Sequence, residues 1–285
     1  MNIIGAWNTV VMTHISGLDV VVCGCTKNSG SYIAAHIEKI LSWRVLFNRM
    51  DVVIYENDSD DNTKAVLTGL ESSGRITLIS ENGIDAIRTV VLAHGRNRLL
   101  SYVRGHISRK YDYMIMLDLD EAVSTLTSDM LTAAFSHDVD TWDVLTGSSP
   151  RYYDIWALRT NPAQFTSIQK RLWPRPLTYD CWFAYSCAMR ARPSHSFASF
   201  KHIASYQCTM TPDMPLIEVD SAFNGIGIYK FDKLRDAAYS GVARVNGVAT
   251  RRCEHVSLHA GIRKNEGRIF ICPQLVVGGW EAHMA

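Results

Sequence analysis

The sequence predicts an α/β protein whose central sheet is mostly parallel, and two patterns lead to that prediction. In the first half of the chain, short β-branched apolar runs alternate with segments whose apolar residues recur at helical spacing. Strands that alternate with helices form βαβ units, and the strands of such units run parallel. Polar clusters follow three of the apolar runs, where an open parallel sheet binds its ligands.

The elements of the first half follow from these patterns in order. Residues 18–25, "LDVVVCGC", form a continuous apolar strand that a Thr-Lys-Asn-Ser-Gly turn ends. The segment 84–106 is expected to be helical and to break or fray around His94 and Gly95. The other elements are expected as strands at 51–55, 75–79 and 113–117 and as helices at 32–43 and 64–70.

The second half is less regular, and no internal repeat or linker divides it from the first. We therefore expect one domain, residues 1–285, with a loose tail at 276–285. A loop is expected at 161–176, which holds three prolines. The remaining elements are expected as strands at 142–146, 152–158, 217–219 and 226–229 and as helices at 179–192 and 231–239.

The composition excludes several classes of protein. A net charge of +1 offers no basic excess for phosphates, so no nucleic-acid partner is expected. The longest apolar runs are far shorter than the roughly 20 residues that cross a bilayer, so no transmembrane segment is expected. The seven cysteines are odd in number and lack paired spacing, which favours a reducing compartment over a disulfide framework.

The strand-end run "YMIMLDLDEAV", residues 113–123, ends in three carboxylates. Asp118 and Asp120 can share Mg²⁺ or Mn²⁺ through their oxygens. Such an ion neutralises the charge that develops on a departing diphosphate. The alternative is that one of the two aspartates caps the helix that follows the strand.

A second polar cluster, "VVIYENDSDDNT", ends the strand at 51–55. Glu56 can accept hydrogen bonds from a base or a ribose, and Asn57 can both donate and accept. Thr26 and Asn28 follow the strand at 18–25 and are expected at the same sheet edge. The residues after Asp58 are better explained as an Asx-turn and a helix start.

A third segment, "GRNRLL", is expected to bring two arginines near the same edge. One guanidinium, that of Arg96, can reach phosphate, because its planar fork matches phosphate oxygens. Arg98 is better explained as a charge on the solvated face of a helix.

In this order, the motifs "VVVCGCTKNSG", "VVIYENDSDDNT", "HGRNRLL" and "YMIMLDLDEAV" resemble the GT-A-fold, metal-dependent nucleotide-sugar glycosyltransferases. More narrowly, "RYYDIWALR" and "CEHVSLH" are similar to segments of fungal capsule α-1,3-mannosyltransferase-like proteins and of glycosyltransferases of large DNA viruses. The resemblance covers most of residues 18–275. It implies a single Rossmann-like GT-A domain, with a nucleotide-sugar-binding half at 18–123 and an irregular acceptor-binding half at 124–275.

The resemblance also implies an activity and roles for particular residues. The expected reaction moves a hexose from a UDP- or GDP-linked sugar to a glycan or another hydroxyl acceptor, with Mn²⁺ or Mg²⁺ bound. Asp118 falls where the family's motif lies near ribose, and Asp120 falls on the metal ligand. A late histidine completes the metal site in that family. His255 is expected to do so here, with His259 as the alternative.

Transfer with inversion needs a general base, normally a carboxylate. Asp220 is the candidate and Glu218 the second choice, while a turn-capping role for Asp220 stays open. If configuration is retained, Asp220 would instead bind acceptor or donor sugar. Asp154 is a further carboxylate that could bind sugar hydroxyls.

Two departures from the family pattern affect these expectations. Glu56 and Asn57 replace a pair of aspartates, and the N-terminal anchor of Golgi members is missing, so we expect the cytoplasm, or the host cytoplasm for a viral protein. Two other functions stay open. One is a haloacid-dehalogenase-like phosphohydrolase, which also uses a strand-end D-x-D, although on its first strand. The other is a catalytically inactive nucleotide-sugar-binding module.

Overall fold

The computed structural model describes residues 15–105, 110–191, 194–245 and 247–283. Ten strands are present in this part of the chain: β1 (Asp19–Thr26), β2 (Arg49–Asn57), β3 (Thr77–Glu81), β4 (Tyr113–Asp118), β5 (Val144–Ser148), β6 (Ile217–Val219), β7 (Ile226–Lys230), β8 (Val242–Val245), β9 (Val248–Arg251) and β10 (Ile269–Val276). The α-helices are α1 (Ile33–Ser42), α2 (Thr63–Ser72), α3 (Arg88–Gly105), α4 (Ala122–Thr125), α5 (Ser128–Phe135), α6 (Ser167–Leu172), α7 (Cys181–Arg190), α8 (His195–His202) and α9 (Glu254–Lys264). Single 3₁₀ turns lie at Trp43–Leu46, Pro162–Gln164, Ala204–Tyr206, Phe231–Leu234 and Trp280–His283.

Eight of the strands form one sheet in the order β3-β2-β1-β4-β7-β5-β10-β6. β1, β2, β3, β4, β5 and β10 point one way, whereas β7 and β6 run antiparallel to their neighbours. The predicted α/β class and mostly parallel sheet are confirmed. β8 and β9 pair separately as a hairpin.

The sheet is buried on both faces, as its continuous apolar strands require. Along β1, Val20 and Val22 pack into one cluster of buried residues, and Val21 and Cys23 pack into the other. This division follows from the two-residue repeat of a strand, in which successive side chains point to opposite faces.

The predicted strands and helices of the first half are present, with one difference in α3. The helix runs without a break through His94 and Gly95. At Gly95 a Cβ atom would stand 2.6 Å from the buried Tyr55 ring and 3.1 Å from Cys25 Sγ. The glycine therefore allows close packing of α3 on the sheet and does not end the helix.

The second half differs more from the prediction. Residues 152–158 form no strand. A turn spans 155–157, and isolated bridges join Arg151 to Thr209 and Arg159 to Ser221. The turn forms because the Asp154 carboxylate accepts backbone N–H groups, which a strand would pair with its neighbours. The expected loop at 161–176 contains α6, and the expected helix at 231–239 is reduced to a 3₁₀ turn.

The expected loose tail, residues 276–285, is ordered where it begins. Residue 276 is the last of β10. Val277 is buried, and its amide donates to the Ser148 carbonyl over 2.9 Å. In the described part of the chain, no helix combines the length and the apolar character that crossing a bilayer requires.

Gly95→Ala should destabilise the protein by about 1–3 kcal/mol, because the added methyl meets an aromatic ring that is already fully packed. Gly69→Ala is the matched control. Gly69 lies in α2, and no atom stands within 4 Å of the place that an alanine Cβ would take, so alanine should stabilise the helix by about 0.5–1 kcal/mol. Urea unfolding of both variants measures the difference. Equal stability of Gly95→Ala and wild type would contradict the close packing of α3.

Candidate active site

The carboxyl ends of β1, β2 and β4 meet at one edge of the sheet. In the strand register, Thr26 pairs with Glu56 and Cys25 pairs with Asp118. The predicted gathering of the three polar clusters is therefore confirmed at the level of the backbone. We call this edge, with the loops that follow the three strands, the carboxyl edge.

The loops after β1 and β2 are joined by hydrogen bonds. The Asp60 amide donates to Asn28 Oδ1 over 3.0 Å, and the Gly30 amide donates to Asp61 Oδ2 over 2.9 Å. Asp61 Oδ1 also accepts from the Thr63 amide over 2.8 Å, which is the predicted Asx-turn at the start of α2. The two loops therefore form one braced wall of the site.

Several predicted nucleoside contacts already have partners within the protein. Both Glu56 oxygens accept hydrogen bonds, from the Ser59 amide over 2.9 Å and from Ser80 Oγ over 2.7 Å. The Thr26 hydroxyl lies 2.5 Å from that of Ser29. In Asn57, the side-chain NH₂ donates to Asp58 Oδ2 over 3.1 Å. These groups brace the edge, and Glu56 in particular is fully buried.

Arg96 occupies the centre of the site and is only 2% exposed. Its Nη2 donates to Asp118 Oδ1 over 2.6 Å, and its Nη1 contacts the buried Glu254 carboxylate. The guanidinium also lies over the rings of Phe223 and Tyr239, at 5.1 and 5.8 Å from their centroids. Two carboxylates and two rings surround the guanidinium, and the contact of Arg96 with phosphate stays a prediction.

Asp118 and Asp120 differ in their surroundings. Partial burial raises the pKa of Asp118 to about 6, and 36% of the side chain stays exposed. The positive charge of Arg96 opposes this rise in the pKa, and the negative charge of Asp120 adds to it. Asp120 is exposed, and its Oδ1 accepts from the Ala122 amide over 3.0 Å. The N-cap of α4 is Glu121, so this hydrogen bond of Asp120 belongs to the turn before the helix and is not the capping bond of the alternative.

Two residues that sequence reasoning missed stand beside this pair. Arg88, the exposed first residue of α3, is close enough for its charge to lower the pKa of Asp118. Tyr32 is 37% exposed. Burial of the rest of the side chain is the main cause that raises its pKa, and the charge of Asp120 is the next. The helix expected at 84–106 placed Arg88 inside a helix, so the sequence pattern gave no signal for this position.

Asp154 lies near Asp118, just before the turn at 155–157. Its Oδ2 accepts from the Asn224 amide over 2.8 Å, and the Asp118 amide donates to the carbonyl of the next residue, Gly225, over 2.9 Å. Burial raises the pKa of Asp154 to about 7, and the charge of Asp118 contributes to the rise. The structure therefore brings a third carboxylate to the site, linked to Asp118 through the backbone of Asn224 and Gly225.

The predicted general bases lie elsewhere. β6 is antiparallel to β10, and Val219 pairs with Ile269, the first residue of β10. Asp220 and Glu218 therefore lie toward the amino edge of the sheet, opposite Asp118. Asp220 Oδ1 lies 2.8 Å from Arg263 Nε, and a Glu218 oxygen lies 3.5 Å from an Arg268 nitrogen. Because β6 runs in the reverse direction, Asp220 and Glu218 lie away from the carboxyl edge, and the choice of either as the base stays a prediction.

The two candidate histidines have different environments. His259 Nδ1 lies 2.9 Å from Ser221 Oγ and Nε2 lies 3.2 Å from the Tyr229 hydroxyl, so both ring nitrogens are satisfied in the core. His255 stacks on Phe223 with ring centroids 3.6 Å apart. Within the described residues, neither nitrogen of His255 has a hydrogen-bond partner, and burial holds its pKa well below the usual range.

The carboxyl edge offers part of a donor set for a divalent ion. Over the described part of the chain, no group of three His, Cys, Asp or Glu side chains is close enough to hold a metal. The predicted set of Asp118, Asp120 and His255 is therefore not assembled. His255 stacks on Phe223, while the Arg96 guanidinium contacts both Asp118 and Glu254. Two adjacent carboxylates at an open edge still suit Mn²⁺ or Mg²⁺, provided that a bound diphosphate supplies further oxygens.

No protein-family model matches this chain, and no curated protein matches it. Similar solved structures include the mannosyltransferase PcManGT from Pyrobaculum calidifontis in complex with GDP-Man and Mn²⁺, at 14% identity and a TM-score of 0.49 over 96% of this chain and 64% of that one. S. aureus TarS 1-349 matches at 13% identity, with a TM-score of 0.47 over 91% of this chain and 59% of that one. Its complex with UDP-GlcNAc matches at 13% identity, with a TM-score of 0.48 over 91% and 57%. This chain spans about three-fifths of the length of these structures. Because these TM-scores are below 0.5, the proposed function rests on the side chains of the site.

The pKa of Asp154 predicts a pH dependence of stability. Between its ordinary value of 3.8 and about 7, the native carboxyl keeps a proton that the unfolded chain has lost. Stability from this group is therefore present at low pH and falls as pH rises through the window, by up to about 1.4 kcal/mol per pH unit. Asp154→Asn should flatten this part of the profile. Urea unfolding from pH 4 to 8 compares the slopes, and parallel profiles for wild type and variant would contradict the raised pKa.

Proposed function

We propose that this chain is a glycosyltransferase that moves a hexose from a UDP- or GDP-linked sugar to a glycan or another hydroxyl acceptor. The observation that supports this most strongly is the exposed carboxylate of Asp120, beside Asp118, at the carboxyl edge. The order of the strand-end motifs, which resembles that of GT-A enzymes, supports the same activity.

The donor would bind along the carboxyl edge. Thr26, Asn28 and Asn57 lie at the strand ends and loops that would face the nucleoside. Glu56 joins the loop after β2 to strand β3 through Ser59 and Ser80. Arg88 is exposed next to Asp118 and is the cation we assign to the diphosphate. Arg96 instead positions Asp118 by binding it from behind.

Asp118 and Asp120 would hold Mn²⁺ or Mg²⁺ together with diphosphate oxygens. When bound, the ion supplies positive charge that stabilises the departing diphosphate. Within the protein, Asp118 is fixed by Arg96 and by its own backbone bond to Gly225. Asp120 is fixed through the Ala122 amide. The aspartates are therefore oriented before any ligand arrives.

On the acceptor side, Asp154 replaces the residues that the sequence suggested. In a reaction with inversion, the acceptor oxygen bonds to the anomeric carbon as the bond to diphosphate breaks, and the hydroxyl proton passes to the Asp154 carboxylate. A pKa near 7 makes a carboxylate a stronger base than usual. Tyr32 and Tyr153 lie close to the same acids and offer aromatic faces to a sugar.

We further propose the cytoplasm as the location of the protein. All seven cysteines lie among the described residues and all are free thiols. A thiol set without disulfides is typical of a reducing compartment.

A thermal-shift panel tests donor binding. Nucleoside diphosphates and their sugar conjugates are added with and without Mn²⁺, and a ligand of the native state should raise the melting temperature. Asp120→Asn should abolish the metal-dependent part of the shift. Glu121→Gln is the matched control, because it removes one carboxylate at the next position, where the Glu121 side chain lies beside Gly279. An unchanged shift in Asp120→Asn would refute the proposed donor site.

Measurements of kcat distinguish Asp154 from Asp220 as the general base. Asp154→Asn should lower kcat by about 100-fold or more if Asp154 accepts the proton. Asp220→Asn should stay within about threefold of wild type, because Asp220 lies toward the other sheet edge. Donor hydrolysis and transfer are measured with Mn²⁺ and a panel of glycans. Donor binding without turnover would indicate an inactive binding module, and phosphate release from a simple phosphoester would indicate a phosphohydrolase. Loss of turnover only in Asp220→Asn would overturn the Asp154 assignment.

A further inference from the structure

Helices α7 and α8 display an unusual set of exposed aromatic side chains, and we call these two helices the aromatic hairpin. Across the described residues, five large aromatic side chains are exposed, and four of them lie here: Trp182, Phe183, Phe197 and Phe200. The two most exposed are Phe197 at 58% and Phe200 at 66%. Clustered apolar exposure of this kind marks an interaction surface.

The charge of this segment has one sign. No Asp or Glu occurs between Asp180 and Asp213, although charged residues make up 20% of the chain. Arg190 and Lys201 are exposed on the two helices. The surface is therefore complementary to a partner that is apolar and negatively charged.

The exposed residues are arranged on amphipathic helices. In α8, Phe197, Phe200 and Lys201 are exposed while Ala198 is buried. In α7, Trp182 and Arg190 are exposed while Cys181 is buried. Aromatic residues beside Lys or Arg on the outer side of a helix are typical of helices that lie in the headgroup region of a bilayer.

The aromatic hairpin is attached next to the acceptor side of the site. Asp180, which caps α7, accepts a hydrogen bond from Trp156 Nε1 over 2.8 Å. Cys181 Sγ lies 3.6 Å from the carbonyl of Ile155, which follows Asp154. A partner that binds the aromatic hairpin would therefore lie near Asp154, the carboxylate proposed to accept the proton of the acceptor.

We propose that the aromatic hairpin binds the surface of an anionic lipid bilayer. Trp182, Phe183, Phe197 and Phe200 enter the headgroup region, and Arg190 and Lys201 bind acidic headgroups. The charge complementarity favours lipid over a second copy of this chain, because a second hairpin would bring like charges together. The proposal is independent of donor chemistry and holds for an inactive protein as well.

Vesicle co-sedimentation tests the proposal with the full chain. One set of vesicles is phosphatidylcholine alone, and the other is an equimolar mixture of phosphatidylserine and phosphatidylcholine. The wild-type protein should sediment with the mixed vesicles and much less with the neutral ones. Phe197→Ser/Phe200→Ser should weaken binding by about tenfold or more, since each phenylalanine loses apolar burial. Arg190→Gln and Lys201→Gln should each weaken binding about fivefold.

The matched control is Val45→Ser/Val248→Ser, which removes two exposed apolar side chains outside the hairpin. It should bind vesicles as wild type does. Far-UV circular dichroism and melting temperature should be unchanged in all variants, because the replaced side chains are exposed. Failure of the wild type to bind mixed vesicles, or equal binding by the phenylalanine variant, would overturn the proposal. A dimer that depends on Phe197 and Phe200, seen by sedimentation velocity without vesicle binding, would assign the surface to a second copy instead.

Discussion

The site depends on one buried arginine. Arg96 contacts Asp118 at the end of β4 and Glu254 at the start of α9, so one guanidinium joins three elements that are distant in sequence. Removing a charge from water costs several kcal/mol unless partners compensate for it. Here two carboxylates and the rings of Phe223 and Tyr239 provide that compensation. Because Arg96 is buried, water does not compete for its guanidinium, and the bond between Arg96 and Asp118 holds the Asp118 carboxylate in place.

The constraint on Asp118 also explains the division of roles at the carboxyl edge. A carboxylate bound to a buried arginine has less freedom to reorganise around a ligand, whereas Asp120 is exposed and accepts from a backbone amide. Preorganised charges lower the cost of stabilising a developing anion. A fixed aspartate beside a more accessible one therefore suits recognition of a charged donor better than two mobile aspartates would.

The sequence predicted those features that local patterns determine. β1, β2 and β4 follow from short apolar runs, and the meeting of their ends follows from the geometry of parallel sheets. The position of Asp220 could not be predicted this way. Whether β6 runs parallel or antiparallel depends on its partner, β10, which the chain reaches only much later. A strand's pattern records which residues are buried but not the direction of the strand in the sheet.

The environments of two arginines also could not be predicted from local sequence patterns. Arg88 and Arg96 both lie on α3, yet Arg88 is exposed near Asp118 and Arg96 is buried. The difference depends on Glu254, Phe223 and Tyr239, which all come from the second half of the chain. A helix pattern assigns an arginine to solvent by default, since an unpaired buried charge is so costly. An arginine found inside the protein therefore indicates that its counter-charges come from elsewhere in the fold. In this chain those counter-charges are Asp118, an acid of the proposed active site, and Glu254 behind it.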